Sequence, residues 1–191
     1  MTKQALIMID YINDIIHPDG KIASCAPMIH KNKIIAKCNK TLKLARKKGV
    51  LIIWIKVAFS QGYPEIYASS PIFGGAKKHQ ALLKNSWGTE LITELDYKES
   101  ELIIYKNRIS PFYATNLELI LNSNKIQELY VAGVATQWAV EAAARDAHDR
   151  NFQVMVLQDL CASGEIDAHN ATLKTISRIA TILNSPDVWQ K

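Results

Sequence analysis

Side chains able to do chemistry gather directly after apolar runs. Asp10 closes Ile7-Met8-Ile9, with Asn13 and Asp14 just beyond it. Lys106 closes Ile103-Ile104-Tyr105 and is followed by Arg108, Ser110 and Phe112. Gly133-Val134-Ala135-Thr136 follows a third apolar run and opens an amphipathic stretch, where exposed backbone N–H groups can stabilise a developing oxyanion. Taken singly, Asp10 or Asp14 caps a helix, Lys106 is a loop lysine and Gly133 makes a tight turn. Taken together they are an acid, a base and a pair of backbone donors. They meet at one rim if the runs are adjacent strands, because ligands bind beyond the carboxyl ends of parallel strands.

The elements that must position these groups are legible as alternating patterns. Apolar runs rich in Ile, Leu and Val recur at Ala5–Ile9, Val50–Val57, Glu101–Tyr105, Glu128–Ala132 and Gln153–Leu157, and the stretches between several of them have helical periodicity. Such alternation signals βαβ units and a parallel sheet. Helices are expected over Pro27–Lys48, Thr115–Ser123, Thr136–Arg150 and Ile166–Arg178, the first stopped by Gly49, with a sixth strand at Ile179–Leu183. The segment Ser60–Glu90 breaks the pattern. It carries Gly62, Pro64, Pro71, Gly74, Gly75 and Gly88 with Tyr63, Tyr67, Phe73 and Trp87 among them, so it reads as an ordered surface cover. One domain spanning residues 1–191 is the economical expectation, since domains usually run to about 100–200 residues.

Composition excludes several classes. A formal charge of +5 invites a nucleic-acid reading, but the densest basic group, from Lys31 to Lys48, has the spacing of a helix's solvent face opposite Ile34, Ile35 and Leu42. No nucleic-acid partner is expected. No run approaches the ~18 consecutive apolar residues of a membrane helix, and no leader pattern opens the chain, so neither a membrane partner nor secretion is expected. The three cysteines, Cys25, Cys38 and Cys161, form neither a disulfide framework nor a CxxC pair and fit a reducing cytoplasm. Cys161 reads as a buried structural thiol, whereas Cys25, in the loop after the first strand, is a minor candidate for approaching the site. His17, His30, His79, His148 and His169 show no metal-ligand spacing.

Three motifs together resemble the isochorismatase-like hydrolases. They are Asp10-Tyr-Ile-Asn13-Asp14, then Lys106-x-Arg108-x-Ser110-x-Phe112-x-x-Thr115-x-Leu117, then Gly133-Val-Ala-Thr136 through Ala144-Arg145-Asp146-Ala147, in the family's order over nearly the whole chain. The resemblance implies a three-layer α/β/α sandwich with a mostly parallel six-stranded, Rossmann-like sheet. It implies a small-molecule substrate, no cofactor, and assembly as a homodimer or homotetramer. It also implies a cis peptide between Val134 and Ala135, and an oxyanion hole from the N–H groups of Ala135 and residue 139.

The amidohydrolase branch of that superfamily carries a nucleophilic cysteine at the position of Ala139. A helix start and a nearby lysine would lower a thiol's pKa there, which a methyl group cannot exploit. Three explanations stay open: a Cys-to-Ala variant made to trap a substrate, a member that needs no thiol, or a member that only binds. The second has a mechanism, because isochorismatases also lack that cysteine and cleave a vinyl ether by protonating carbon. Asp10 would then be the general acid, raised in pKa by burial, and Lys106 would hold a substrate carboxylate or stabilise charge. Nicotinamidases place a metal-binding Asp-x-His after the second strand, where this chain reads Lys56-Val57-Ala58-Phe59, so no metal is expected. If the long cover folds over the site, Phe59, Tyr63, Tyr67, Trp87, Phe112 and Trp138 would line the substrate pocket, or else pack the cover against the sheet.

Overall fold

The computed structural model describes residues 3–67 and 69–189. Its strands are β1 (Gln4–Ile9), β2 (Leu51–Val57), β3 (Leu102–Lys106), β4 (Glu128–Gly133), β5 (Gln153–Leu157) and β6 (Thr181–Leu183). They form one sheet of six strands in the order β3-β2-β1-β4-β5-β6, with every neighbouring pair parallel. The chain runs outward through β2 and β3, then returns to the other side of β1 for β4. The switch in direction therefore lies between β1 and β4, where parallel sheets open a crevice at their carboxyl ends.

Helices cover both faces. They are α1 (Asn13–Ile16), α2 (Ala26–Lys31), α3 (Ile34–Lys47), α4 (Phe73–Lys78), α5 (Leu117–Ser123), α6 (Glu141–Asp149) and α7 (Ile166–Ile176). Strand alternation divides the core. Ile7, Ile9, Ile53, Ile55 and Val131 face α5, α6 and α7, while Leu6, Met8, Ile52, Trp54 and Ala132 face α2 and α3. Being buried on both faces, β1 and β4 read as continuous apolar runs rather than as alternating ones.

The helix expected over Pro27–Lys48 is two helices. Lys33 adopts a left-handed conformation with φ of 51°, which ends α2 and lets α3 start in a new direction. Periodicity carries straight through that break because Ile29, Ile34, Cys38 and Leu42 all face the same core layer. Gly49, with φ of +66°, stops α3 as anticipated, and Gly49 and Val50 return their N–H groups to Arg46 and Ala45. The helix expected from Thr136 opens with a π-helical turn over Thr136–Val140 before α6 begins. The described residues of Ser60–Glu90 include the short helix α4. The segment packs through Tyr63, Ile66, Ala76 and Leu82 on a third apolar cluster with Ile12, Val57 and Phe59.

Candidate functional site

Asp10 is the first residue beyond β1 and sits at φ of 60°, its N–H donating to Ile55 O at 2.8 Å. That turn delivers its carboxylate to the switch point. Oδ1 accepts the Val57 N–H at 2.7 Å, and Oδ2 lies 2.8 Å from Lys106 Nζ. The ammonium of Lys106 also donates to Ile109 O at 3.1 Å and Arg108 O at 3.2 Å. Both side chains are almost sealed from solvent, at 4% and 2% exposure. Burial pushes the Asp10 carboxyl above its ordinary value; Lys106 and the Val57 N–H pull the other way without cancelling that rise.

Across from the pair, β4 ends at Gly133. A Cβ there would come within 2.7 Å of Ile9 Cβ and 2.8 Å of Ile9 O, so only glycine allows β1 and β4 to approach this closely. The Val134–Ala135 peptide is cis. Thr136 pins the next turn: its N–H and hydroxyl both donate to Ala162 O, at 2.8 and 3.0 Å, and its hydroxyl also shares a hydrogen bond of 2.8 Å with His169 Nδ1. Burial lowers the pKa of that half-buried imidazole. The π-helical turn then brings Ala139 into the wall, and π-turns occur often at functional sites. Val134 pairs with Ala162 in a short parallel bridge, and Ala135 beside it lines the cavity.

Asp10, Lys106, Val134, Ala135, Trp138 and Ala139 share one cavity of about 260 Å³. The rest of its wall is mostly aliphatic, from Ile15, Ile22, Val57, Leu82 and Ile109, with Ile72 and Phe73 contributed by the cover. A larger cleft of about 970 Å³ lies at the opposite end of the strands, around Gln4, Leu51 and Leu102. Two of its charged groups, Arg46 and Glu101, are already paired with each other at 2.8 Å, so volume alone does not mark the site.

Of the six aromatics expected around the substrate, Trp138 alone lines this cavity. Phe59 and Tyr63 lie beneath the cover: Phe59 stacks edge-on to Phe73 at 5.2 Å, and Tyr63 donates its hydroxyl to Ala81 O at 2.8 Å. Tyr67 is 60% exposed, and Trp87 points outward, edge-on to His17 at 5.1 Å. Phe112 joins the core layer on the α6 side, against Phe152 and beneath the Arg150 guanidinium at 4.9 Å. Sequence reading missed Ile72 and Leu82 in the wall and left Phe73 in the cover without a place in the pocket, because an irregular segment offers no periodicity from which to read side-chain direction.

Other motif residues serve the scaffold. Asn13 donates through Nδ2 to Trp87 O at 2.9 Å, and Asp14 accepts the Leu82 N–H at 2.6 Å, so both fasten the cover. Ser110 donates to Asp146, which Arg150 holds at 2.8 Å, and the Ser110 hydroxyl accepts the Phe112 N–H at 3.0 Å. This tie fixes the loop whose carbonyls receive Lys106. Cys25 reaches the cavity wall, as its position after β1 suggested, but burial pushes its thiol up to about 11. Cys38 and Cys161 are buried and pushed up to about 12. At the end of β2, Val57, Ala58 and Phe59 offer no carboxylate or imidazole.

A family description, Isochorismatase domain, matches residues 4–187. The chain is 28% identical over 186 residues to ureidoacrylate amidohydrolase RutB of Acinetobacter baylyi, an alignment covering 90% of this chain and 76% of that protein. Its fold superposes on a cysteine hydrolase from Pseudomonas syringae pv. phaseolicola with a TM-score of 0.88 at 21% identity, covering 98% of this chain and 91% of the other. It also superposes on the pyrazinamidase of Pyrococcus horikoshii in complex with zinc, with a TM-score of 0.77 at 26% identity over 95% and 99% of the two chains. With its parallel sheet, its switch-point site and this match over nearly its full length, the chain belongs to the isochorismatase family of hydrolases.

Proposed function

We propose that this chain hydrolyses a small carbonyl or vinyl-ether compound by thiol-independent acid–base chemistry, with Asp10 as the proton donor and acceptor and Lys106 as its electrostatic partner. The observation that carries the reading is the sealed Asp10–Lys106 pair in the same cavity wall as Ala139. Burial raises the proton affinity of the paired carboxylate, which suits a group that must take up and give a proton. For a vinyl ether, Asp10 gives its proton to the β-carbon, and water adds to the resulting oxocarbenium carbon. The Asp10 carboxylate takes the proton from that water, and the hemiketal collapses to a carbonyl compound and an alcohol. Lys106 stabilises the carboxylate between the two transfers. For a carbonyl substrate, the Ala135 N–H, from a residue of the cavity wall, would serve as an oxyanion donor.

A second reading, an amidohydrolase or binding protein that has lost its thiol, is favoured by one specific observation. Ala139 is buried in the cavity wall near the end of the π-helical turn, where a cysteine would share the cavity with the same acid–base pair. The names of the relatives, an amidohydrolase and a cysteine hydrolase, support that alternative. Hydrolysis of a panel of small amides, ureido compounds and vinyl ethers separates the two. Turnover by the chain itself that disappears in Asp10→Asn is expected. Turnover that appears only in Ala139→Cys replaces the first reading with the second.

A further inference from the structure

The ammonium of Lys106 has three N–H bonds, and three acceptors surround it: Asp10 Oδ2 at 2.8 Å, Ile109 O at 3.1 Å and Arg108 O at 3.2 Å. An ammonium so committed has no donor left for an arriving carboxylate. Asp10 and Lys106 also offset each other's charge, and every other lining residue is uncharged at neutral pH, the thiol of Cys25 included. The nearest arginine in sequence, Arg108, is not in the wall; its Nη1 donates to Asn107 O at 2.6 Å and Glu65 O at 3.1 Å. An anion entering here would lose its water without meeting a cation, and would do so beside the Asp10 carboxylate.

The cover supplies the room. Helix α4 contains Gly74 and Gly75, and Gly75 lines the cavity. A Cβ added at Gly75 would meet nothing within 4 Å, and the backbone there is not left-handed. Neither neighbours nor conformation demand glycine at this position, and glycine weakens a helix. What the missing side chain leaves behind is cavity space next to Phe73 and Ala76.

We infer that the cavity takes uncharged small molecules, with a compact apolar body and a single polar head, and rejects their carboxylate analogues, Gly75 leaving the space for the body. This rests on reading the cavity as the substrate site, but it requires binding only. Polar recognition would come from Asp10 and the Ala135 N–H, and the body would lie on Ile15, Ile22, Leu82 and Phe73.

The test is a binding titration by protein NMR at pH 7.5 with two matched pairs, benzamide against benzoate and butyramide against butyrate. The amides are expected to bind at least roughly 100-fold tighter than their acids, as for a pocket that leaves the wrong ligand's charge unpaired. Gly75→Leu is expected to weaken amide binding at least about tenfold with an unchanged circular dichroism spectrum, because the new side chain occupies the body's space. Ile72→Arg, at a 38% exposed residue of the same wall, should strengthen benzoate about tenfold by supplying the missing cation. Acids binding as well as amides, no binding by either amide, or amide binding indifferent to Gly75→Leu would each overturn the inference. Amides that bind selectively without being hydrolysed would count against the proposed reaction and leave the inference standing. Hydrolysis of anionic substrates would do the reverse.

Discussion

At the scale of single residues, the buried pair decides the site's behaviour. Lys106 is the main influence drawing the Asp10 carboxyl down, against a larger upward push from burial. Lys106→Met leaves a sealed carboxylate without its cation, so it should cost about 3–5 kcal/mol at pH 8 in urea denaturation. The sign of the pH dependence follows from the raised value. Stability held by the protonated carboxyl is fully present below the unfolded value of about 4 and is lost as pH rises through the folded one, which the substitution moves higher still. The loss in Lys106→Met should therefore be much smaller at pH 4 than at pH 8. Asp10→Asn added to Lys106→Met should recover most of it. An equal loss at both pH values would contradict this account. The thiols make a second residue-scale test. With Cys25 raised to about 11 and Cys38 and Cys161 to about 12, none should react with a thiol-specific disulfide reagent at pH 7.5 until the chain is unfolded, when all three titrate.

Element packing sets how near the two halves of the site approach. Strands β1 and β4 meet where Gly133 faces Ile9, and a methyl group at Gly133 would collide with backbone as well as side chain. Gly133→Ala should destabilise the chain by about 1–3 kcal/mol through overpacking, read as a lowered urea midpoint at unchanged slope. Gly49 makes a useful contrast at the end of α3, since an added Cβ there meets nothing but the backbone is left-handed. Gly49→Ala should cost only about 1 kcal/mol, from backbone strain alone. Of these two glycines, the helix stop is legible from sequence, because Gly after a periodic run is a local signal. The close strand contact is not, because it depends on which strand lies alongside.

For the whole molecule, the cover is the element that most separates this site from bare sheet. It is fastened to the end of β1 by Asn13 and Asp14, and Gly88 lies against the Asp14 carboxylate so closely that a Cβ there would come within 2.1 Å of Oδ2. Asp14→Ala strands the buried Leu82 N–H, at a cost of about 1–3 kcal/mol, and removes the latch. Hydrogen exchange should accelerate across residues 60–90 while β1 and β4 keep their protection. Uniform acceleration over the chain would instead make Asp14 a global support. Within the same cover, the aromatic residues read as a pocket are mostly its packing: Phe59 and Tyr63 hold it down, and Tyr67 and Trp87 face out.

The amino-acid sequence by itself determined the parallel strands, the longer helices between them apart from the break at Lys33, and the delivery of Asp10, Lys106 and Gly133 to strand ends, because periodicity and turn residues act over a few neighbours. Only the tertiary structure decided that Lys106 has no free donor, that Phe112 belongs to the core, and that Ile72 and Leu82 face the cavity. The physical reason is common to all of these. Each depends on side-chain direction in a loop, or on a contact between segments far apart in the chain, and neither leaves a repeating pattern in the order of residues.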